Sequence, residues 1–564
     1  MNRLLILISF SVFVCFLAIG CTSDESNAPR IVEKPEEMDD VVGRQISRLL
    51  EQSLNKSGRI SDTIIIRLDT LIDIYYKNNG YKAVWTHESA FTPLADSLID
   101  FIGRSKYFGL FPNDYHYSTL SAIKNRLVTD TLAHKDAVLW AQSDLMLTDA
   151  VMLIGRHLKQ GRLQKDSITL TKDTLLPPLF YSELMTEVLS SKNIEKSFQS
   201  LEPKVIGYDS LKNGLKHFLD SIQQFKKYTY IIYPNKDSVQ LMAQLKARLE
   251  EGGLIDSSFN DQDTLAWKTV LTSYQKRFNL KPTGKINVAT AARLNYTPWE
   301  QFKTIALNLD KYKQLPDTMP SRYIWVNIPS YYMQVWDADT LAFTSRVVVG
   351  KPETRTPLLT SKITDIITYP QWNIPTSIIA KEVIPEARKS TAYFAKHGYM
   401  IVNNKGEEID PASINWFKYT KGIPYKVIQG SGDANALGIL KFNFNNKYSV
   451  YMHDTNQRYL FANASRSLSH GCVRVQEWQK LAHFIVQGDT VRKSNDLLVN
   501  KSQDSLKVWL KRKEKHTLWV RNRMPVFIRY FTAEGKLGKV KFYEDIYGED
   551  KKLRERYFAD KSIQ

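Results

Sequence analysis

One stretch of the chain, 448–475 (YSVYMHDTNQRYLFANASRSLSHGCVRV), restricts the fold and the chemistry more than any other. The chain has 564 residues and three cysteines, two of which lie within the first 21 residues. The folded body therefore holds Cys472 alone, and its stability has to come from packed cores because no disulfide can form within it. Cys472 follows His470 and Gly471, and Arg474 stands two places later. A lone thiol among such neighbours indicates a reactive cysteine.

Length and composition indicate a globular chain with several domains. At 564 residues the chain is too long for one core, and 43% of its residues are hydrophobic. The formal net charge of +18 is dispersed, with only short basic runs such as 511–513. Dispersed positive charge does not predict a nucleic-acid partner. Zinc-finger, Walker and GxGxxG motifs are missing from the sequence, so we expect neither a metal site nor a cofactor.

The first residues are typical of a protein exported across a bacterial inner membrane. Residues 1–3 form a basic start, and 4–19 is an apolar run too short for a comfortable membrane span. This beginning resembles a lipoprotein signal peptide over 1–20 with Cys21 as the lipidated residue; an uncleaved N-terminal anchor is the alternative. The polar, acidic composition of 21–41 predicts a disordered tether. The expected location is the periplasm, on a lipid anchor, with the outer membrane favoured.

Helical periodicity dominates residues 42–232. In its first segment, apolar residues recur at Ile46, Leu49, Leu50 and Leu54, a spacing near that of an α-helix. Later segments repeat the pattern and are punctuated by prolines, and the histidines among them are scattered. We therefore predict a mostly helical domain without a cluster of ligand residues.

The apolar pattern of residues 237–298 predicts a compact unit of three helices. Leu241, Leu245 and Leu249 recur every fourth residue, and Gly252 ends that helix. Two shorter helical segments follow, separated by a turn that contains Pro-Thr-Gly. The order of these segments resembles the peptidoglycan-binding module of many cell-wall enzymes; an unrelated three-helix bundle is the alternative.

The sequence changes to strand character after residue 320. Segments 323–328 and 331–335 predict two strands, and 337–340 predicts a hairpin turn into a third strand. The β-branched and aromatic residues of these segments are typical of a half-buried sheet.

Strand and helix patterns also surround the cysteine. A strand is predicted over 443–454, in which Tyr451 and His453 share one face. An amphipathic helix is predicted over 476–487, which would place Cys472 just upstream of a helix N-terminus. Partial positive charge at that end favours a thiolate, so the pattern predicts a lowered pKa for the thiol.

At this point the residues resemble a known family. His453 at a strand end, fifteen intervening residues and then Ser-His-Gly-Cys-Val-Arg resemble the signature of the L,D-transpeptidase catalytic domain. The segments VVVGKPETRTP, PQWNIPTSI, GDANALG and PVFIRYFTAEGK resemble the large modular members of that family. NNGYKAVWT, in the helical segment, resembles the scaffold domain of the same proteins.

The resemblance implies an α+β multidomain fold. It consists of a helical scaffold, a three-helix peptidoglycan-binding module and a β-sandwich-like catalytic domain over 320–550. A cap inserted at about 378–428 covers the site, and 551–564 remains as a C-terminal tail.

The resemblance also implies roles for residues of the motif. Four residues are expected in the catalytic machinery: Cys472 as nucleophile, His453 as general base and then acid, and His470 and Gly471 around the pocket and oxyanion hole. Three more are expected to contact the substrate: Tyr451, Arg474 and Ser469. For His470, Arg474 and Tyr451 a structural role is the alternative. A zinc site made of Cys472, His453 and His470 is disfavoured because a fourth ligand is missing.

The function implied is a peptidoglycan L,D-transpeptidase that joins stem peptides by 3→3 cross-links through a cysteine acyl-enzyme. Carbapenem β-lactams are the expected covalent inhibitors. The same acyl-enzyme could instead pass to water, as in an L,D-carboxypeptidase, or to a protein amine, which would anchor that protein to the wall. A non-catalytic wall-binding lipoprotein is the alternative from another class. A sortase-like enzyme would use similar chemistry, but the order of the motifs does not suit it.

Overall fold

The computed structural model describes residues 31–163, 176–191, 193–222, 226–488, 501–559 and 561. The predicted signal peptide (1–20) and the predicted lipidation site Cys21 lie outside the described residues, as does the tether up to residue 30. They stay predictions.

The end of the predicted tether belongs to the folded body. The Val32 amide donates to the Lys135 carbonyl at 2.8 Å, and the first helix begins at Met38. Val32, Met38 and Val41 are buried. The prediction of disorder up to residue 41 is therefore wrong at its end, because these apolar side chains outweigh the acidic residues around them.

Helices and one short hairpin form the scaffold. In chain order they are α1 (Met38–Asn55), α2 (Asp69–Asn78), β1 (Thr86–His87), β2 (Ala90–Phe91), α3 (Pro93–Arg104), α4 (Tyr117–Thr129), α5 (Thr131–His134), α6 (Ala137–Lys159), α7 (Pro178–Ser190), α8 (Ile194–Gln199) and α9 (Ile206–Asp220).

The helix α6 is the centre of the scaffold. By length and composition it could cross a membrane, yet 89% of its most apolar window is buried inside the protein. Its Asp144 is buried and accepts a hydrogen bond from the Trp85 amide at 2.8 Å and another from the Tyr76 hydroxyl. Burial raises the pKa of Asp144 to about 6. These bonds tie α2 and the hairpin to α6, as a buried carboxyl group requires.

Four more helices connect the scaffold to the sheet domain. They are α10 (Ser238–Glu251), α11 (Thr264–Arg277), α12 (Val288–Asn295) and α13 (Pro298–Tyr312). Each begins with a capping side chain that accepts a backbone N–H: Asp237, Asp263, Asn287 and Thr297. α10, α11 and α12 share a small core that includes Leu245, Trp267 and Leu294. A wall-binding role for this unit stays a prediction.

α13 is almost fully buried between the scaffold and the sheet domain. One apolar cluster joins Leu211 of α9, Phe302 and Tyr312 of α13, and Trp325 and Phe531 of the sheet domain. The scaffold, α13 and the sheet therefore share a continuous core.

The remainder of the chain alternates strands with short helices. The strands are β3 (Arg322–Asn327), β4 (Tyr332–Asp337), β5 (Thr340–Gly350), β6 (Leu359–Thr368), β7 (Trp372–Asn373), β8 (Tyr399–Val402), β9 (Glu408–Ile409), β10 (Lys426–Gln429), β11 (Leu440–Phe444), β12 (Met452–His453), β13 (Ser467–Ser469), β14 (Val473–Val475), β15 (Thr517–Trp519), β16 (Pro525–Arg529), β17 (Ala533–Lys536) and β18 (Lys539–Phe542). The helices are α14 (Thr376–Ile378), continued by a π-helical turn (Ile379–Val383) into α15 (Ile384–Lys389), then α16 (Ala392–His397), α17 (Trp478–Gln487), α18 (Lys501–Arg512) and α19 (Glu549–Tyr557).

The main sheet closes on itself. Its order is β11-β12-β14-β5-β4-β3-β16-β6, and β6 pairs again with β11. It encloses one core, to which Val326, Met333, Val347, Phe442 and Val526 contribute. β5 and β6 are long enough to pair in both halves of the sheet and so join the two halves around this core.

The strand predicted over 443–454 is wrong. The chain forms two short antiparallel strands, β11 and β12, joined by a turn that Asn446 organises. Its side chain donates to the Val450 carbonyl at 2.7 Å and accepts from the Tyr448 amide at 3.0 Å. These local bonds compete with a continuous strand. Tyr451 and His453 still share one face, with ring centroids 5.7 Å apart.

The cap is an insertion between the antiparallel neighbours β6 and β11. It has its own sheet, in the order β7-β10-β8-β9, and its own core, which includes Val383, Phe394, Trp416 and Val427. Its elements run from Trp372 to Gln429, so the predicted bounds of 378–428 omit the first cap strand.

The predicted C-terminal tail is wrong in its first half. α19 extends to Tyr557, and Leu553 and Phe558 are buried. Arg554 Nε lies 2.5 Å from Glu300 Oε2 on α13. The segment packs because its apolar residues complete the shared core.

Candidate active site

Strand register brings five polar side chains to one face of the sheet. Lys441 of β11 is paired with His453 of β12, and His453 is paired with Arg474 of β14. Two positions earlier in the β12–β14 register, Tyr451 stands beside Cys472, and the Val473 amide donates to the Tyr451 carbonyl at 3.1 Å. The alternating residues enter the core: Phe442, Met452 and Val473. Side-chain alternation therefore leaves the reactive residues on the outer face.

His453 is buried in this row and is neutral at ordinary pH. Burial lowers the pKa of its imidazole to about 3, and the positive charges of Arg474 and Lys441 act in the same direction. Its Nδ1 is buried without a hydrogen-bond partner among the described residues. A neutral imidazole with a free nitrogen can accept a proton, as a general base must.

The pKa of the Cys472 thiol is raised, which contradicts the predicted thiolate. Burial is the main cause, and hydrogen bonding to Tyr451 and the positive charges of Lys441 and Arg474 oppose it. The helix dipole does not help, because α17 begins only at Trp478 and β14 separates it from the cysteine. In the described residues no hydrogen bond joins the Cys472 sulfur to His453. The resting pair is therefore a neutral thiol beside a neutral imidazole.

The loop before the cysteine is held by bonds within the protein. The Ser469 hydroxyl donates to the Cys472 carbonyl at 2.6 Å and accepts from the Gly471 amide at 3.1 Å. The Thr356 hydroxyl donates to the Gly471 carbonyl at 2.8 Å. Gly471 has φ of 117°, a conformation that favours glycine. Ser469 is buried and committed to this loop, so its geometry supports positioning of the loop and not the predicted contact with substrate.

The two candidate oxyanion donors differ in availability. The Gly471 N–H is already bound by Ser469. The Cys472 N–H donates to no described residue. It is thus the better placed of the two to stabilise an oxyanion.

His470 faces the cap. Its Nε2 lies 2.5 Å from Glu382 Oε1, on the π-helical turn of the cap, and both side chains are partly exposed. This contact joins the cap to the residue two places before the nucleophile. In the described part of the chain no group of three or more metal-ligand side chains converges, so the zinc alternative has no support in the geometry.

Arg474 lies at the edge of the site. Its Nη1 donates to Gln457 Oε1 at 2.9 Å, and its Nε is buried without a partner among the described residues. The guanidinium thus keeps one donor available beside Cys472, whose thiolate form it favours.

Two residues of the site were not predicted from the sequence. The Lys441 ammonium lies 4.0 Å from the ring centroid of Tyr451, and burial lowers its pKa. Trp372, on the first cap strand, interacts with the Tyr451 hydroxyl. The lysine between Leu440 and Phe442 in LKFNF was a signal for Lys441, since a charge in an otherwise apolar strand marks the outer face.

A pH profile of thiol alkylation tests this electrostatic arrangement. Only the thiolate reacts with iodoacetamide, so the rate at Cys472 should rise about tenfold per pH unit from 7 to 9 without a plateau. Lys441→Met removes a charge that favours the thiolate and should slow the reaction about three- to tenfold at each pH. Lys441→Arg and the exposed Lys447→Met are the controls, and both should stay close to wild type. Peptide mass spectrometry assigns the label to Cys472. A plateau below pH 7 would show a preformed thiolate and contradict this reading.

Comparisons with known proteins agree with this geometry. The L,D-transpeptidase catalytic domain family (YkuD) matches residues 321–492, and the scaffold domain family matches residues 70–215. The protein therefore carries a scaffold domain followed along the chain by an L,D-transpeptidase catalytic domain, as the resemblance implied.

A relative is found among curated proteins. It is a protein of Haemophilus influenzae that carries the provisional name L,D-transpeptidase, and 251 aligned residues are 36% identical. The alignment covers 44% of this chain and 48% of the relative. The chain thus matches about half the length of that protein.

Proposed function

We propose that the protein is a peptidoglycan L,D-transpeptidase that forms 3→3 cross-links between stem peptides through an acyl-enzyme on Cys472. The observation that carries the proposal is the row of Cys472, His453 and Tyr451 on one sheet face beside the cap. The catalytic-domain match supports the class of reaction. Nucleophilic catalysis suits acyl transfer because it replaces one difficult step by two easier ones.

In the first half-reaction a donor tetrapeptide stem is cleaved. The Cys472 sulfur attacks the carbonyl carbon of the third residue while the thiol proton passes to His453. Charge develops on the carbonyl oxygen and is stabilised by the Cys472 N–H. The bond to the fourth residue then breaks, His453 returns the proton to the departing amine, and D-alanine leaves. A thioester remains on the enzyme.

In the second half-reaction an amine on the third residue of another stem attacks the thioester. His453 takes a proton from the amine and delivers it to the departing sulfur. An amide replaces the thioester, and the thiol is regenerated. Because burial keeps both Cys472 and His453 neutral at rest, charge forms only when a substrate is bound, which limits side reactions of the thiol.

The same site suits covalent inhibition. A carbapenem offers a strained carbonyl to the sulfur, and attack opens the ring without a leaving group, so the adduct keeps the mass of both partners.

We also propose that Cys21 carries a lipid that holds the protein in the periplasm, with the outer membrane favoured. Palmitate labelling of wild type, but not of Cys21→Ala, would support the anchor.

Defined muropeptides test the proposal. The purified protein, incubated with disaccharide-tetrapeptide monomers, should yield cross-linked dimers lighter than two monomers by one D-alanine, as measured by mass spectrometry. Tripeptide monomers alone would favour the L,D-carboxypeptidase. No turnover, together with no acylation by a carbapenem, would contradict the enzyme and favour a non-catalytic wall-binding lipoprotein.

A further inference from the structure

A groove of about 500 Å³ lies on the outer face of β3 and β4. Three cross-strand pairs form its floor: Tyr323 with Trp336, Trp325 with Gln334, and Asn327 with Tyr332. The alternating residues of both strands face the core. The N-terminal turn of α9 forms one wall and the β17–β18 hairpin forms the other. The groove therefore shares no lining residue with the row around Cys472.

The floor offers aromatic faces. The rings of Tyr323 and Trp336 are stacked with 10° between their planes. Tyr312 of α13 and Trp325 are also stacked, with 4° between their planes. Trp336 and Tyr332 are half-exposed and form an accessible rim. Flat aromatic surfaces of this kind pack against the C–H faces of sugar rings.

The hydroxyls of two largely buried tyrosines open into the groove. Tyr312 is 4% exposed and Tyr323 is 7% exposed, and neither hydroxyl has a hydrogen-bond partner among the described residues. Burial raises the pKa of Tyr323 to about 12 and that of Tyr312 well above its ordinary value, so both remain O–H donors. A Cβ at Gly207 would lie 2.6 Å from the Tyr312 hydroxyl oxygen, so glycine leaves that hydroxyl accessible. Hydroxyls that lack a protein partner and face the groove can donate to a ligand with acceptor oxygens.

One carboxyl group and two ammonium groups line the groove. The carboxyl group of Glu534 accepts from Tyr543 at 2.8 Å and from the floor residue Asn327 at 2.9 Å, and burial raises its pKa. Lys536 and Lys541 are exposed at the rim. A carboxyl group inside the groove disfavours an anion, so the aromatic faces and hydroxyl donors suit an uncharged ligand.

We infer that this groove binds a saccharide strand of N-acetylated hexopyranose units, the glycan of the polymer whose stem peptides Cys472 would process. The inference rests on the proposed function for the identity of the polymer. Sugar rings would pack on Trp336 and Tyr332, and acetamido or hydroxyl oxygens would accept from Tyr312 and Tyr323. The β17–β18 hairpin also touches the three-helix unit, with ring centroids of Phe542 and Tyr296 6.0 Å apart. A strand bound here would run close to that unit.

Calorimetric titration of the full chain, purified in detergent, with an N-acetylglucosamine tetramer tests the inference. We expect saturable binding that weakens at least fivefold in Tyr312→Phe, which removes one hydroxyl, and in Trp336→Ala. Trp519→Ala removes an exposed tryptophan outside the groove and should bind as wild type does. A cellulose-derived tetramer, which lacks acetamido groups, should bind more weakly.

Two results would overturn the inference. One is the lack of tetramer binding to wild type. The other is binding that Tyr312→Phe and Trp336→Ala leave unchanged, which would place the saccharide elsewhere, for example on the three-helix unit. Acylation of Cys472 by a carbapenem is measured in the same variants and should not change, which also shows that they are folded. Groove binding by a wild type that is not acylated would refute the proposed function and leave the groove assignment standing.

Discussion

Replacement of Cys472 by alanine is expected to abolish acylation by a carbapenem and to reduce cross-linking below detection, at least about 10⁴-fold. The thiol is the proposed nucleophile on the face that carries His453 and Tyr451, and alanine offers no atom that can form the thioester. Intact-mass spectrometry measures the adduct, and muropeptide analysis measures the product. The substitution removes only the sulfur atom and leaves the backbone of the loop unchanged, so the fold should persist.

A matched control separates the nucleophile from its surroundings. Lys447→Ala alters an exposed side chain of the nearby turn and should be acylated at the wild-type rate. An adduct that persists in Cys472→Ala would place the nucleophile elsewhere and refute the assignment.

Replacement of His453 by glutamine is expected to slow acylation about 10²- to 10⁴-fold, because an amide of similar size cannot take up the thiol proton. The rate of iodoacetamide alkylation at Cys472 should change far less. Alkylation consumes the fraction of Cys472 that is ionised at equilibrium, and the thiol pKa sets that fraction. Burial is the main cause of the raised pKa of the thiol. Stopped-flow or quenched mass spectrometry compares the two rates. An equal loss in both reactions would indicate a collapsed site rather than a missing base.

The same substitution has a pH-dependent effect on stability. The imidazole pKa is about 3 in the fold, against 6.5 for an ordinary histidine. Between these values the unfolded chain binds a proton that the folded chain does not, so wild type loses stability as the pH falls from 6.5 to 3. Glutamine removes this loss, by at most about 5 kcal/mol. Chemical denaturation at pH 7 and pH 4 should show the free energy of unfolding of wild type falling more steeply than that of His453→Gln.

Local patterns in the sequence predicted several features that the structure contains. The first strands of the sheet follow from period-two alternation, and β4 and β5 meet at a two-residue turn in which Ala338 and Asp339 have positive φ. The common face of Tyr451 and His453 follows from their spacing. Errors occurred where local bonds or distant packing decide the outcome, as at the Asn446 turn and at α19.

The sequence predicted a lowered pKa for the Cys472 thiol, whereas the pKa in the fold is raised. The sequence places a helix soon after Cys472, which suggests a stabilised thiolate, but it does not reveal how deeply the thiol is surrounded. Burial outweighs the favourable charges of Lys441 and Arg474. Lys441 and Glu382 reach the site from β11 and from the cap, and only the pairing of β11 with β12 and the docking of the cap bring them there.

By itself, the sequence determined the features on which the proposed chemistry depends: one thiol for the folded body, a histidine nineteen residues before it, and a motif that resembles that of L,D-transpeptidases. Those features depend on residues close together in the chain. Three features were decided by the tertiary structure alone. They are the backbone N–H that is free to donate to an oxyanion, the neutral resting state of Cys472 and His453, and the aromatic groove between α9 and the β17–β18 hairpin. Each of these depends on burial and on contacts between distant segments, because desolvation and unpartnered donors arise only when the chain is packed.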